Sequence, residues 1–184
     1  VIVNEAAETP IDDALLGASN RLEVLAGGCV CCAARQDLID LLRRISDERS
    51  RASTGAERLS HIVLETSGLA DPGALVEAIR ADPVLVYHIL VGEVIVAVDA
   101  LHGLSQIQSE PLSRQQIEVA DRFVVTKMDV ADGEALKTLL ATLKVMSPGA
   151  TFSGAVKGVD HILPDFDRNA PEPLNDLMGQ APKP

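Results

Sequence analysis

Five apolar runs, at residues 1–3, 22–25, 61–64, 94–98 and 122–126, punctuate this chain without the strict alternation of a half-exposed strand, and several are rich in Val and Ile. A strand can be apolar at every position only when both its faces are covered, as in a parallel sheet packed between helices. The segments between the runs have a different period. DLIDLLRRI from Asp37, GALVEAIR from Gly73 and GEALKTLLATLK from Gly133 repeat apolar residues at helical spacing, so each presents one stripe to a core. Strands alternating with helices predict an α/β fold, with a mostly parallel sheet flanked by helices. The 184 residues, 47% of them apolar, suffice for one domain with a sizeable core. We expect a partial α/β domain over residues 1–163. The Pro-rich, polar stretch 164–184 reads as a linker or frayed tail leading towards an absent C-terminal domain. The chain starts at Val1 inside a run that reads as a strand already under way, so we expect the sequence to be truncated.

Composition narrows the partners. A formal net charge of -11 argues against a polyanionic partner, and 2% aromatic content offers few rings for bases to stack on. Nucleic acid is therefore not expected as a partner. No stretch approaches the roughly 18 unbroken apolar residues of a membrane span, and no basic segment precedes a hydrophobic one at the N-terminus. The expectation is a cytoplasmic protein without a membrane partner. In a reducing compartment, clustered thiols bind metal or do redox chemistry more often than they form structural disulfides.

All three cysteines of the chain, Cys29, Cys31 and Cys32, fall in the single stretch GGCVCC. Three thiolates this close can converge on one soft ion such as Zn2+ or Cu(I), and Gly27 and Gly28 allow the preceding tight turn. A thiol redox role and three small buried hydrophobes are the competing readings of the same residues. The stretch follows the run LEVL, and other unusual motifs also sit just beyond strand ends: Asn4-Glu5 after VIV, TSGLADP after IVLE, and KMD after FVVT. In open α/β sheets, ligands gather at those loops. In LETSGLADP, Glu65 ends a strand as a carboxylate placed near Mg2+ and its water would, and a backbone N–H beside Gly68 is expected to face the terminal phosphate. The bland alternative for Glu65 is local pairing. Asp71-Pro72 reads as a helix N-cap followed by Pro in the first turn. In TKMD, residues 126–129, the Asp129 carboxylate can accept two hydrogen bonds from guanine, which adenine cannot supply. Lys127 can lay its methylene stem along the base. The alternative is a helix start, with Asp129 or Asp132 as the N-cap. Ser147-Pro148-Gly149-Ala150 supplies either a backbone contact to the base or a simple turn. His61, His88, His102 and His161 are scattered and read as surface or core residues, His102 being nearest a strand end.

With GGCVCC, ETSGLADP and TKMD in this order, the chain resembles the CobW family of P-loop GTPases, which act as metallochaperones or metal-insertion proteins. Supporting matches are Asn4-Glu5, Val98-Asp99-Ala100, Gln116 with Ala120-Asp121, and Ser147 to Ala150. The resemblance implies a GTPase-like core lacking its first strand, phosphate loop and first helix. It implies that Cys29, Cys31 and Cys32 carry Zn2+ or Co2+, with Glu5 as an oxygen ligand, and that Glu65 and Gly68 serve GTP hydrolysis with Mg2+. It implies that Thr126, Lys127, Asp129 and Ser147 belong to the guanine site. The implied function is a GTP-dependent chaperone handing metal to a client metalloprotein or cobalamin-pathway enzyme, either alone or as a homodimer. The γ-phosphate would bias whether the thiolates are arranged to hold the ion. Departures are visible: no Gly-Lys pair is followed by Ser or Thr anywhere in the chain, and AAETP follows Glu5, with Ala7 and Pro10 at usual glycines. The phosphate loop is thus missing from this sequence. The chain alone is expected not to hydrolyse GTP, and a metal-binding or interaction module without hydrolysis is the alternative.

Overall fold

The computed structural model describes residues 1–4, 21, 23–25, 35–51 and 59–166. Glu5, Cys29, Cys31, Cys32 and residues 167–184 of the expected tail lie outside them. The chain divides into two units, Val1–Val91 and Gly92–Pro184.

In the first unit, three short strands form a parallel sheet in the order β2-β1-β3, where β1 is Ile2–Asn4, β2 is Glu23–Leu25 and β3 is Leu64–Glu65. The apolar run at 61–64 predicts a longer strand, but only Leu64 and Glu65 pair; His61 and Val63 are exposed. Helix α1, Arg35–Arg51, buries Leu38, Ile39, Leu41, Leu42 and Ile45 on the face its sequence period anticipates. Helix α2, Pro72–Ala81, starts where sequence chemistry places it: the Asp71 side chain accepts from the Ala74 amide at 3.2 Å, and Pro72 fills the first turn. Ile2, Leu38, Leu42, Leu75 and Leu85 share one core, each buried aliphatic side chain contributing about 1.5–3 kcal/mol of transfer free energy. Asp82 ends α2 and is itself buried. Its carboxylate accepts from the amides of Val84 and Leu85, both at 2.9 Å, and from Arg43 at 2.7 Å. Those donors offset the cost of burying a charge.

The second unit has a four-stranded sheet in the order β4-β5-β6-β7: β4 Ile95–Asp99, β5 Arg122–Thr126, β6 Thr151–Val156 and β7 Val159–His161. The first three are parallel and β7 runs antiparallel to β6. Helix α3 covers Gly103–Ser109, α4 Pro111–Glu118 and α5 Gly133–Met146. Helix α5 buries Leu136, Leu139, Leu140 and Leu143, and Phe123 and Val125 of β5 are fully buried, so β5 is covered as its unbroken apolar run requires. Phe166 lies against Phe152, ring centroids 5.7 Å apart. Both units therefore show mostly parallel strands flanked by helices.

Candidate functional site

The register of the second sheet aligns its carboxyl-terminal ends. Asp99 pairs with Thr126, and Thr126 pairs with Ala155, so the last residues of β4 and β5 stand level with the penultimate residue of β6. Beyond that row lies a groove of about 500 Å3, lined by Thr126, Lys127, Asp129, Val130, Ala155, Lys157 and Gly158. Three residues picked out by sequence alone are thus brought together on one concave surface. The other four lining residues were not picked out. Ala155, Lys157 and Gly158 belong to a two-residue hairpin between β6 and β7, with Val156 paired to Val159. Both turn residues have positive φ, 50° at Lys157 and 79° at Gly158, as the mirror-image hairpin turn requires. A Lys-Gly pair is a weak form of that turn signal, since Asn or Asp before Gly is the usual one.

The loop after β5 is bent by Lys127, whose φ of 57° lies in the left-handed region that costs a residue with a side chain some free energy. Met128, between the two expected base-reading residues, points the other way and packs into space left by Gly154. A Cβ on Gly154 would fall 2.8 Å from the Met128 sulfur and 2.7 Å from the carbonyl oxygen of His161. The small residue in β6 therefore seats the loop.

Asp132 settles the choice of helix cap. Its carboxylate accepts from the amides of Glu134 and Ala135, each at 3.0 Å, and so takes the N-cap of α5. Asp129, three residues earlier, is exposed on the groove and has no hydrogen-bond or ion-pair partner among the described residues. Thr126 sits at the strand end, its hydroxyl donating weakly to the Val98 carbonyl at 3.4 Å. The Lys127 ammonium does not point into free space: it donates to Asp99 at 2.7 Å. His102 also contacts Asp99, with Nδ1 at 3.1 Å from the same oxygen, and the Leu101 amide donates to the other oxygen at 2.8 Å. Burial works against ionisation of Asp99, yet the bonds from Lys127, His102 and Leu101 outweigh it and hold the carboxyl well below the usual carboxylate range.

Ser147 is buried, and its hydroxyl donates to the Ala120 carbonyl at 3.2 Å. The Ala150 amide closes a turn on the Ser147 carbonyl at 3.2 Å, and Lys144 caps the Pro148 carbonyl at 2.6 Å. The turn reading of this segment is what these bonds describe, and Ser147 is not among the residues lining the groove. The Ala120-Asp121 pair has a structural use as well: Asp121 accepts from the Val94 amide at 2.8 Å and its carbonyl accepts from Thr151 at 2.9 Å, tying the starts of β4 and β6 to β5.

In the first unit, Glu65 ends β3 and is exposed, and the loop that follows turns at Ser67–Ala70, where the Ala70 amide donates to the Ser67 carbonyl at 3.0 Å. Gly68 is exposed at the turn, with open space around the position a Cβ would take. The Ser67 hydroxyl is buried and has no hydrogen-bond partner among the described residues. A carboxylate, an open glycine turn and an unpartnered hydroxyl form a donor set that fits a hydrated divalent cation and phosphate oxygens. Among the described residues no group of three or more His, Cys, Asp or Glu side chains could hold a metal ion, and no helix is long and apolar enough to cross a membrane.

Mostly parallel strands flanked by helices, shared with solved structures of a P-loop GTPase, place the chain in that fold class. The chain belongs to the CobW/HypB/UreG family, whose nucleotide-binding domain matches residues 1–153. It is 34% identical over 150 residues to the zinc chaperone YjiA of Escherichia coli, covering 80% of this chain and 46% of that protein. It is 27% identical over 120 residues to zinc-regulated GTPase metalloprotein activator 1 of Schizosaccharomyces pombe, covering 65% of this chain and 28% of the relative. A solved structure of zinc-bound YjiA GTPase, with one glutamate and two cysteines replaced by alanine, is similar with a TM-score of 0.57 and 27% identity, over 77% of this chain and 40% of that one. The chain thus spans less than half the length of these relatives.

Proposed function

We propose that this chain is the nucleotide-binding portion of a GTP-dependent zinc chaperone, reading guanine through Thr126, Lys127 and Asp129. The observation that carries the reading is the division of labour between two aspartates. Asp132 takes the helix cap, so Asp129 stays exposed on the groove with both oxygens available to the N1–H and exocyclic amine of guanine. Lys157 and Gly158 line the same groove, so the hairpin turn adds backbone groups near the base.

Glu65 would stand on the Mg2+ and water side, with the Ser67 hydroxyl and the turn at Gly68 facing phosphate oxygens. Mg2+, when bound, neutralises developing charge on those oxygens. Cys29, Cys31 and Cys32, with Glu5, would hold the cargo ion, for which the names of the relatives favour zinc over cobalt. The residue types replaced in the YjiA variant, one glutamate and two cysteines, are the same types assigned here. Nucleotide state would bias the cysteine loop between holding zinc and passing it to a client metalloprotein.

Asp129→Asn tests base reading in the full-length gene product. The variant should lose guanosine diphosphate and gain xanthosine diphosphate; unaltered base selectivity would remove Asp129 from the guanine site. For the cargo, Cys31→Ser should weaken zinc binding by roughly tenfold or more, measured by competition with a chromophoric chelator. Equal affinity in the variant would discard the thiolate site, and tighter binding of Co2+ than of Zn2+ would assign the cargo to cobalt. The competing reading is a metal-binding module without hydrolysis. GTP turnover by the full-length product decides between the two.

A further inference from the structure

Lys127 is strained in backbone and anchored in side chain. Its φ is 57°, and its ammonium, 2.7 Å from Asp99, is drawn back over the end of the neighbouring strand β4. Asp99 is well placed to act as the anchor because it is itself held from two other directions. The Leu101 amide fixes one oxygen at 2.8 Å, and His102 Nδ1 lies 3.1 Å from the oxygen that Lys127 also uses. The carboxylate is only 21% exposed, whereas the Lys127 side chain is 56% exposed. A fixed, shielded acceptor therefore meets a long, otherwise mobile donor. Holding one end of a four-carbon stem while its other end is fixed by the backbone turns a flexible side chain into a flat apolar wall. Lys127 lines the groove together with Asp129.

We propose that Asp99 is a positioning residue for nucleobase binding: it acts through Lys127, clamping the ammonium so that the aliphatic stem is presented to the base. The inference rests on the guanine reading above and adds to it a residue, on a different strand, that does not touch the nucleotide. Two features separate it from a merely structural ion pair. The strained residue and the anchored residue are the same, and the next residue but one is the base-reading Asp129. An ordered stem lowers the entropy lost when a base stacks on it, so the gain appears as affinity for the nucleotide.

The test is a double-mutant cycle in the full-length gene product, with guanosine diphosphate dissociation constants for wild type, Asp99→Asn, Lys127→Met and the double variant. Asn keeps the size of the side chain and an acceptor for the Leu101 amide, and Met keeps an unbranched stem. Asp99→Asn should weaken binding by about 3- to 10-fold, in the range of one charged hydrogen bond at a partly exposed site. In the Lys127→Met background the same substitution should change nothing, because the anchor has lost its load. Asp99→Glu, which keeps the charge, should recover part of the loss and guards against a folding defect in the Asn variant. Unchanged affinity in Asp99→Asn would overturn the proposal. So would a loss of equal size in the Lys127→Met background, since Asp99 would then act by another route. Asp129→Asn, run alongside, keeps the two claims apart. A switch to xanthine with a silent Asp99→Asn sinks only the anchor; no switch sinks the guanine reading and the anchor with it.

Discussion

Gly154 is the residue whose replacement most directly disturbs the groove without touching it. A methyl group there meets the His161 carbonyl at 2.7 Å and the Met128 sulfur at 2.8 Å. The thioether can rotate away, but the carbonyl belongs to the paired strand β7 and cannot move without disturbing the hairpin. Gly154→Ala should therefore cost about 1–3 kcal/mol, the usual range for an overpacked site, read as a lower urea midpoint. The displaced Met128 should shift Asp129 with it, so nucleotide affinity falls as well. A stability loss with no change in affinity would mean that Met128 does not seat the reading loop. Nothing in the sequence flags Gly154, because a glycine inside a strand records only that something approaches closely and not what approaches. The place of Asp129 on the groove was legible for the opposite reason, since its spacing from Thr126 and its position beyond an apolar run put it at a strand end. Asp99 was legible only as part of a Val-Asp-Ala strand end, and its bond to Lys127 joins residues 28 positions apart. The three cysteines and Glu5 are read from the sequence alone.

Among elements, the long helices declared themselves and the short ones did not. Helices α1, α2 and α5 carry an unbroken apolar stripe, and two of them begin at an aspartate whose side chain accepts from the first turn. Helices α3 and α4 have seven and eight residues. Two turns hold too few apolar positions to establish a period, and Pro111 interrupts what little repeats. Strand β7 is exposed along its whole length, so no face of it is apolar enough to give a period-two signal. The cap of α5 gives a prediction at this scale. Asp132→Ala should lower stability by about 1 kcal/mol, the usual value for a lost N-cap, while Asp129→Ala should leave the melting temperature nearly unchanged. A larger loss from Asp129→Ala than from Asp132→Ala would return Asp129 to a structural role.

For the whole molecule, the sequence period predicted the fold class, and two carboxylates held low by their partners set how the fold responds to acid. Asp82 is held below the usual carboxylate range, chiefly by the Leu85 amide against the cost of burial, with Arg43 and the Val84 amide adding to it. Asp99 is depressed too, against the penalty of its burial, by Lys127 and His102. Both groups titrate lower when folded than when unfolded. Their stabilisation is therefore complete above about pH 4, the unfolded value, and is lost as pH falls through the lower folded values. The urea midpoint should drop on acidification from about pH 5 to pH 3, and Asp82→Asn and Asp99→Asn should each flatten that drop. A pH dependence unchanged in both variants would assign the acid sensitivity to other carboxylates, of which a chain with 27 acidic residues has many.

The seating of Met128 on Gly154 carries a consequence for ionic strength. Contact between a thioether and a glycine is indifferent to dissolved salt, whereas the attraction between the exposed Lys127 ammonium and its carboxylate weakens as counterions accumulate. Raising potassium chloride should accordingly loosen how tightly the groove grips a nucleobase while leaving its choice between guanine and xanthine intact.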